Sequence, residues 1–468
     1  MSMQDTVQKV LDAATADISQ PNAVPGAVMY IADKTGKQVA WAAAGVKQAG
    51  KPDPMTTDSV FWVASCTKLI TAIACLQLVE QGKLNLQDDV TKYLPEMAEV
   101  KMIDGSKPKR VPTVWNCLTH TCGLGYSFFN PALKALEDKK GRKVIDAFDA
   151  SKQSIMGPYV TEPGSEWEYG MGIDWAGQVV ERVSGLSLND YFQKHIFAPL
   201  GIKNASFLPK TAGLADKLVG SHYRNPDGII SPNEHWLNQQ ESKIEVHYGG
   251  AGLWANAAEY CQILVALLNG GTHPKTGGKI LTPESVEELV KPQLDDKLAA
   301  DMDREFPNTD PTLTNYFEGC TVKGVPKNWA LGGMRLTVQH PMFKYSDKSL
   351  FWCGIQNSYW WADFKDGTCG MIQSQIGPFL DMGTLGILAQ IEPQVHAAYA
   401  NVLAADALDT VEHEQQHRLD EQHEEVASTA LADALDEAED DGNNDMDASF
   451  NDPLSPYGHI DLGRARRH

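Results

Sequence analysis

The chain of 468 residues lacks several features that would assign it to a class at once. No apolar run reaches the roughly 18 residues that a membrane-spanning helix needs. The first residues, MSMQDTVQKVLDAATADISQ, carry acids and no basic stretch followed by an apolar one, so we predict no secretory signal. The eight cysteines form no C-x-x-C pair, which argues against a zinc site or a dense disulfide framework and indicates a cytoplasmic protein.

An excess of positive charge is also missing, which argues against nucleic acid as a partner. The formal net charge is −21, and residues 411–468 hold 16 acids against 4 arginines, a net of −12. In this acidic tail His413, His417 and His423 could hold a metal loosely. We expect instead a solvated helix to about Asp440, then disorder, that aids solubility or pairs with a second copy of the chain.

Strand signals occur at both ends of the body, and helical signals dominate between them. An N-terminal helix over residues 4–17 precedes two strands, GAVMYIAD and QVAWAAAGV. Strand signals return in WALGGMRLTV, SLFWCGIQ, SYWWADF and CGMIQSQIG. A final helix is predicted to begin at Pro378, with a kink at Pro393.

This order predicts an α+β protein with one sheet that is assembled from both ends of the body. Residues 1–83 and 330–405 would form the sheet domain, and residues 84–329 an inserted, mainly helical domain. Residues 406–468 would be the acidic tail. We expect the active site at the seam between the two domains.

The stretch WVASCTK, residues 62–68, contains a candidate nucleophile. Ser65 and Lys68 are three residues apart, so they share one face of a helix and their polar atoms can meet. The apolar helix that follows would bury Lys68 and lower its pKa, which makes the amine a possible base for the serine. The alternative is a helix N-cap with Lys68 extended to water. A second such pair, Ser106 and Lys109, lies between prolines and is predicted to be a surface loop.

Further segments follow in a fixed order: PGAVMYIAD, WVASCTKLITAIACLQLVEQGKLNLQDDVTKYLP, VWNCLTHTCGL, EPGSEWEYGMGIDWAGQVVERVSG, HYGGAGLWANAAEYCQILVALLNGG and LFWCGIQNSYWWADFKDGTCGMIQSQ. Together they resemble the serine β-lactamase and penicillin-binding-protein superfamily, in particular its class C-like esterases and fungal transesterases. The resemblance spans about residues 20–405. It implies a β-lactamase-like antiparallel sheet, flanked by the N- and C-terminal helices, with an inserted, mostly helical domain.

The resemblance also implies catalytic roles. Ser65 would attack an acyl carbonyl, and Lys68 and Tyr169 would remove and return its proton, since nearby ammonium groups can hold a phenol below its usual pKa. The oxyanion would lie between the N–H of Ser65 and one from the strand near Gly354 and Ile355. Cys66 is interpreted as a small apolar residue, not a second nucleophile.

Two departures from the class C pattern bear on the substrate. Met171 stands where the second motif has an asparagine that contacts a substrate amide. Trp352 stands where the third motif has a lysine that helps to hold a carboxylate. Both losses argue against β-lactams and peptidoglycan peptides, and they favour esters or thioesters with an apolar acyl group.

The substrate pocket is predicted from aromatic segments and one glycine. Trp352, Tyr359 and Trp360 are predicted to bind substrate, and Tyr359 and Trp360 come shortly after the third motif that contains Trp352. The resemblance brings Trp360 towards the active site; the alternative is that two of the aromatic residues in YWW pack in the core. Tyr126 and Phe128, with the adjacent Phe129, would line the other wall. Gly250 belongs to the Gly-Gly-x-Gly segment that the resemblance places at the site.

We therefore predict a serine esterase or transesterase of secondary metabolism that forms an acyl-enzyme on Ser65. Its partners would be a small hydrophobic acyl donor and an alcohol acceptor, with no cofactor, metal, nucleic acid or membrane. One alternative is a β-lactamase or D-amino-acid peptidase, which would prefer amides to esters. Another is a catalytically silent binding or scaffold protein, with the acidic tail as its interaction element and a possible contact between copies of the chain.

Overall fold

The structure, a computed structural model, describes residues 1–143, 148–235, 237, 240–315 and 323–400. Residues Met1–Val402 form one compact unit. The predictions for the acidic tail, including its histidines and its pairing with a second copy, lie outside the described residues. None of the described helices combines the length and the apolar character that crossing a membrane requires.

The strands and helices of the described residues follow one another along the chain and are numbered in that order. The strands are β1 (Gly26–Asp33), β2 (Gln38–Gly45), β3 (Phe61–Trp62), β4 (Ala205–Ser206), β5 (Ser221–Arg224), β6 (Ile230–Asn233), β7 (Trp254–Ala255), β8 (Lys327–Trp329), β9 (Met334–Leu336), β10 (Ser349–Gly354), β11 (Ser358–Asp363), β12 (Thr368–Gln373) and β13 (Ile376–Gly377). The helices are α1 (Met3–Thr15), α2 (Thr67–Glu80), α3 (Val114–Leu118), α4 (Pro131–Lys139), α5 (Lys152–Ile155), α6 (Gly172–Ser184), α7 (Leu188–Phe192), α8 (Ala198–Leu200), α9 (Ala257–Leu268), α10 (Pro283–Val290), α11 (Asp296–Asp301) and α12 (382–400).

The main sheet has seven antiparallel strands in the order β2-β1-β12-β11-β10-β9-β8. Strands β1 and β2 come from the front of the chain and the other five from residues 327–373, as the strand signals at both ends predicted. The segment WALGGMRLTV forms two strands and not one, because the chain turns back at Gly333, whose carbonyl accepts a hydrogen bond from Ala330 N at 2.9 Å.

Helices cover both faces of this sheet. Side chains alternate along β11, so Trp360 and Trp361 point to opposite faces. Trp360 lies beside Tyr260 of α9, with ring centroids 6.2 Å apart, and Trp361 lies beside His396 of α12 at 6.3 Å. The sheet is therefore a buried layer between α9 and α12, which explains why every residue of β11 is buried.

The final helix starts later than the sequence predicted. It begins at residue 382 and not at Pro378. The Asp381 carboxylate accepts a hydrogen bond from Thr384 N at 2.9 Å, which is the bond of a helix N-cap. Pro393 lies inside the helix without ending it.

Two small sheets tie the middle of the chain to its ends. One has the order β13-β5-β6 and the other β3-β7-β4, so β3 and β13 pair with strands of the middle segment. The division into a sheet domain and an inserted domain stays a prediction. Within the middle segment Ser106 lies exposed in a turn, and its hydroxyl donates to Asp104 at 2.6 Å.

Candidate active site

Ser65 lies in a short 3₁₀ turn, Ala64–Cys66, that leads into α2. Ala64 has φ 46°, an uncommon value for a residue with a Cβ and a frequent one at functional sites. The Thr67 hydroxyl fixes the turn, because it donates to Ala64 O at 2.6 Å and accepts from Leu253 N at 3.1 Å. The turn presents Ser65 to a cavity at the end of α2.

Lys68 is completely buried and does not extend to water. Its Nζ lies 3.0 Å from Ser65 Oγ, 2.8 Å from Gly250 O and 3.3 Å from Tyr126 OH. Burial lowers the pKa of Lys68 to about 8, and the charge of Asp174 opposes this shift. The amine is therefore held against the serine hydroxyl, with a pKa that lets it exchange a proton near neutral pH.

Two tyrosines surround the lysine. The ring centroid of Tyr169 lies 4.8 Å from Lys68 Nζ, and the Tyr169 hydroxyl accepts a hydrogen bond from Trp352 Nε1 at 3.1 Å. Tyr126 was predicted only as part of the pocket wall, and its hydroxyl accepts a hydrogen bond from Lys68 Nζ. Burial holds the pKa of Tyr126 well above its usual value, so this residue remains a phenol.

His120 holds the segment that carries Tyr169. Its carbonyl accepts from Glu168 N at 2.8 Å, and its Nδ1 accepts from Gly170 N at 3.3 Å. The imidazole lies 4.5 Å from the Tyr169 ring between centroids. Burial holds the pKa of His120 well below its usual value, so the ring is neutral. This histidine lies in VWNCLTHTCGL, one of the segments that carry the resemblance, and no role was predicted for it.

The end of β10 approaches the Ser65 turn closely at Gly354. A Cβ at this position would lie 2.4 Å from Val63 O, so only glycine fits. Ile355 and Ser65 line the same cavity. The two backbone segments that were predicted to bind the oxyanion therefore meet. That their N–H groups donate to the oxyanion stays a prediction.

The cavity above Ser65 opens to solvent, holds about 410 Å³ of empty space when the solvent at its mouth is included, and has walls that are mostly aromatic. None of its described lining residues is charged; they are Ala64, Ser65, Tyr126, Phe128, Phe129, Phe148, Tyr169, Ala251, Trp352, Cys353, Ile355 and Phe379. Among the residues predicted to bind substrate, Trp352, Tyr126 and Phe128 are in this set. Phe148 and Phe379 were missed, because they come from segments distant in sequence that carry no motif.

Three predicted substrate residues lie elsewhere. Trp360 is a core residue and not a pocket residue, because its strand is central in the sheet and its indole fills the space left by Gly333, where a Cβ would lie 3.3 Å from the ring. Tyr359 lies behind the wall, where its ring stacks with Phe379 at 6.3 Å and its hydroxyl donates to Asn357. Gly250 contributes its backbone to Lys68 and does not line the cavity.

Asp174 is a buried carboxylate next to this site that the sequence analysis missed. It lies in the first turn of α6, and its Oδ1 accepts a hydrogen bond from Gly250 N at 2.9 Å. Burial raises the pKa of Asp174 to about 6, and Lys68 opposes the shift. The available signal was an acid inside the apolar stretch GIDWAG.

One cluster in the described residues has the composition of a metal site, and it lies away from Ser65. Asp363, Asp366 and His396 are buried, with ligand atoms within 4.8 Å of one another, on the α12 side of the sheet. Hydrogen bonds already engage both carboxylates: Asp363 accepts from Ser346 Oγ at 2.6 Å, and Asp366 lies 2.5 Å from His396 Nδ1. His396 Nε2 has no hydrogen-bond partner within the described residues. The bond between His396 and Asp366 joins α12 to the β11–β12 turn, so we interpret the cluster as an anchor for the helix.

The fold and the Ser65–Lys68 pair define a class, the serine enzymes with a β-lactamase-like fold. Comparison with protein families agrees, since residues 11–388 match the family model described as Beta-lactamase. The chain belongs to the β-lactamase family. This confirms the α+β, β-lactamase-like fold that the sequence predicted.

The relatives of the chain include esterases and acyltransferases. It is 31% identical over 367 residues to lovastatin esterase from Penicillium rubens, which covers 74% of this chain and 88% of that protein. It is 28% identical over 393 residues to monacolin J acid methylbutanoyltransferase from Aspergillus terreus, covering 80% and 92%. A solved structure of a mutant simvastatin synthase from A. terreus has a TM-score of 0.70 at 26% identity and covers 85% and 95% of the two chains. The protein is an esterase or acyltransferase of the serine β-lactamase fold.

Proposed function

We propose that the protein forms an acyl-enzyme on Ser65 and passes the acyl group of a small hydrophobic ester or thioester to an alcohol or to water, as part of secondary metabolism. The observation that carries the proposal is the 3.0 Å contact of Ser65 Oγ with Lys68 Nζ at an uncharged, aromatic cavity. The contact supplies an activated nucleophile, and the cavity supplies a site for an apolar acyl group.

The hydrogen bonds of Lys68 support its role as the base. A neutral amine has two N–H donors and one lone pair. Gly250 O and Tyr126 OH accept the two donors, which leaves the lone pair for the hydroxyl hydrogen of Ser65. As the proton passes to Nζ, Ser65 Oγ bonds to the acyl carbon, and the bond from that carbon to the alkoxide or thiolate leaving group then breaks.

Tyr169 is suited to carry the proton onward to the leaving group. Tyr169 lines the cavity, and the N–H of Trp352 donates to its hydroxyl oxygen, which orients the phenol group. The same groups act in reverse when an alcohol or a water molecule attacks the acyl-enzyme. The N–H groups of Ser65 and Ile355 are the proposed donors to the oxyanion.

The composition of the cavity supports an ester or thioester in preference to a β-lactam. Trp352 occupies the position at which a lysine would hold a carboxylate, and no cation takes its place among the described lining residues. Met171 borders a different cavity, on the other side of the Leu124–Ser127 segment. One relative is named an esterase and another an acyltransferase, which supports both water and an alcohol as acceptors in this proposal.

The test is acylation of the intact protein by a short-chain p-nitrophenyl ester, followed by p-nitrophenol release and intact mass. We expect turnover or a mass gain equal to one acyl group, and we expect Ser65→Ala to lose both. Ser106→Ala is the matched control, because Ser106 begins the other Ser-x-x-Lys pair and is exposed in a turn; it should behave as the wild type.

Two outcomes would overturn the proposal. One is the absence of any acylation across a broad set of esters and thioesters, which would favour a binding or scaffold protein. The other is equal activity of Ser65→Ala and the wild type. Faster acylation by β-lactams or D-amino-acid peptides than by esters would favour the amide-directed alternative. Addition of small alcohols during turnover measures transfer against hydrolysis.

A further inference from the structure

We propose that Asp174 is a positioning residue that fixes the place and the charge state of Lys68, and thereby sets the pH at which Ser65 is acylated. The inference rests on the proposed function of Ser65. It concerns a buried carboxylate on α6, which does not line the substrate cavity and acts through the lysine.

The backbone of one residue, Gly250, joins the two charged residues through the N–H and the carbonyl on either side of its Cα. Its N–H donates to Asp174 Oδ1 at 2.9 Å, and its carbonyl accepts from Lys68 Nζ at 2.8 Å. A Cβ at Gly250 would lie 2.6 Å from Asp174 Oδ2, so a side chain at this position would push the carboxylate away. The Gly-Gly-x-Gly segment therefore lets the carboxylate approach the lysine.

The second oxygen of Asp174 has no hydrogen-bond partner within the described part of the chain. Oδ2 is buried, and the residue is 1% exposed. A buried carboxylate oxygen without a donor is costly unless a positive charge lies nearby. Lys68 is the cation whose charge acts on Asp174, and it is itself completely buried. Each charge thus compensates the burial of the other.

The other titratable groups around the pair come from five different parts of the fold. Cys66 belongs to the serine turn and Cys353 to β10, whereas Tyr126, Tyr169, Tyr248 and His120 come from loops. Burial raises the pKa of Cys66, Tyr126 and Tyr248 and lowers that of His120, so these four are uncharged near neutral pH. Asp174 is the one carboxylate in this set.

The direction of the effect on Lys68 follows from the charges. Burial favours the neutral amine and lowers the pKa of Lys68 to about 8, whereas the Asp174 anion favours the ammonium. Removing the anion should lower this pKa further. The free amine would then be present at lower pH, and acylation would begin at lower pH.

The experiment measures the rate of Ser65 acylation in a single turnover, by quenched flow and intact mass, between about pH 5 and pH 10. Asp174→Asn removes the charge and keeps an oxygen that can accept from Gly250 N. In this variant we expect the acid limb of the plot of acylation rate against pH to shift to lower pH by about one pH unit or more relative to the wild type. Glu392→Gln is the control, because Glu392 is an equally buried acid on α12; its profile should match the wild type.

The outcomes separate this inference from the proposed function. A wild type without Ser65-dependent acylation would contradict the function itself. An acylated wild type with an unchanged acid limb in Asp174→Asn would overturn the role of Asp174 and leave the function standing. A lower rate at every pH with the limb in place would assign Asp174 to structure alone and would also overturn the inference.

A double-mutant comparison covers the case in which Asp174→Asn does not fold. If the carboxylate serves to compensate the lysine, the neutral pair Lys68→Gln with Asp174→Asn should fold where Asp174→Asn alone does not. Failure of the double variant as well would mean that the carboxylate is needed whether or not the lysine is present. That result would contradict the inference.

Discussion

Trp352 stands where the resemblance expects a lysine, and its indole contacts the catalytic tyrosine candidate. The N–H donates to the Tyr169 hydroxyl at 3.1 Å, and the ring centroids lie 5.4 Å apart. Trp352 therefore leaves the pocket without the cation that a lysine would provide, and its N–H orients the Tyr169 hydroxyl. The sequence predicted the loss of the lysine charge at this position, and the structure adds the hydrogen bond from Trp352 to Tyr169.

Replacing Trp352 with Phe tests this contact. The variant keeps an aromatic wall and removes the N–H donor, so we expect acylation to slow by about 2- to 10-fold, the effect of one hydrogen bond of about 0.5–1.5 kcal/mol. Trp41→Phe is the control, since Trp41 Nε1 is buried and has no hydrogen-bond partner in the described structure. An unchanged acylation rate in Trp352→Phe would show that the bond does not contribute.

The site depends on how β10 meets the turn before α2. The two elements are almost 300 residues apart in sequence, and they approach so closely that a Cβ at Gly354 would collide with Val63 O. This approach brings Ile355 and Ser65 to one cavity. Because Gly354 has no side chain, β10 can approach the turn so closely that the proposed oxyanion donors, the N–H groups of Ser65 and Ile355, can face one oxygen atom.

Replacing Gly354 with Ala should separate these elements. We expect acylation to fall by about 10²- to 10³-fold, the value of one oxyanion donor, with little change in the secondary structure seen by circular dichroism. Gly386→Ala is the matched control, because a Cβ at Gly386 in α12 meets no atom within 4 Å. This control should keep full activity and gain a little stability, since alanine is the better helix former. Full activity in Gly354→Ala would rule out the close approach.

The whole molecule brings the site together from four distant parts of the chain. Ser65 and Lys68 come from the front, the Tyr126–Phe129 wall and Tyr169 from the middle, and Trp352 from the back. All described residues of the cavity lie between residues 64 and 379, and the family match ends at residue 388. The acidic tail lies beyond both limits.

Removal of residues 403–468 tests whether the compact unit Met1–Val402 is sufficient. We expect the shortened chain to unfold at the same denaturant concentration and to be acylated at the same rate. The predicted loss is in solubility, because residues 411–468 hold −12 of the net charge of −21. The measurements are denaturant unfolding and intact mass. Loss of acylation in a folded, shortened chain would assign the tail a part in catalysis.

Local sequence was sufficient for some elements and insufficient for others. Strand β1 is bounded as GAVMYIAD predicted, because the seven apolar or small residues before Asp33 can form a strand buried on both faces. Trp360 was predicted to line the pocket, but it lies in the core beside Tyr260 of α9. Alternation along a strand gives the face of the sheet to which a tryptophan points, but it does not show whether a helix or a cavity covers that face. Asp174 was missed for a related reason, since its partner peptide is 76 residues away.

The reactive pair and the class of the protein follow from the sequence alone. Ser65 and Lys68 are one helical turn apart, so their contact follows from the geometry of a helix and needs no distant partner. Only the tertiary structure decided what surrounds them. The Gly250 peptide, the Asp174 carboxylate, the Tyr126 hydroxyl and the aromatic walls reach Lys68 and Ser65 through packing between distant segments, and burial by those segments is what shifts the pKa of the lysine.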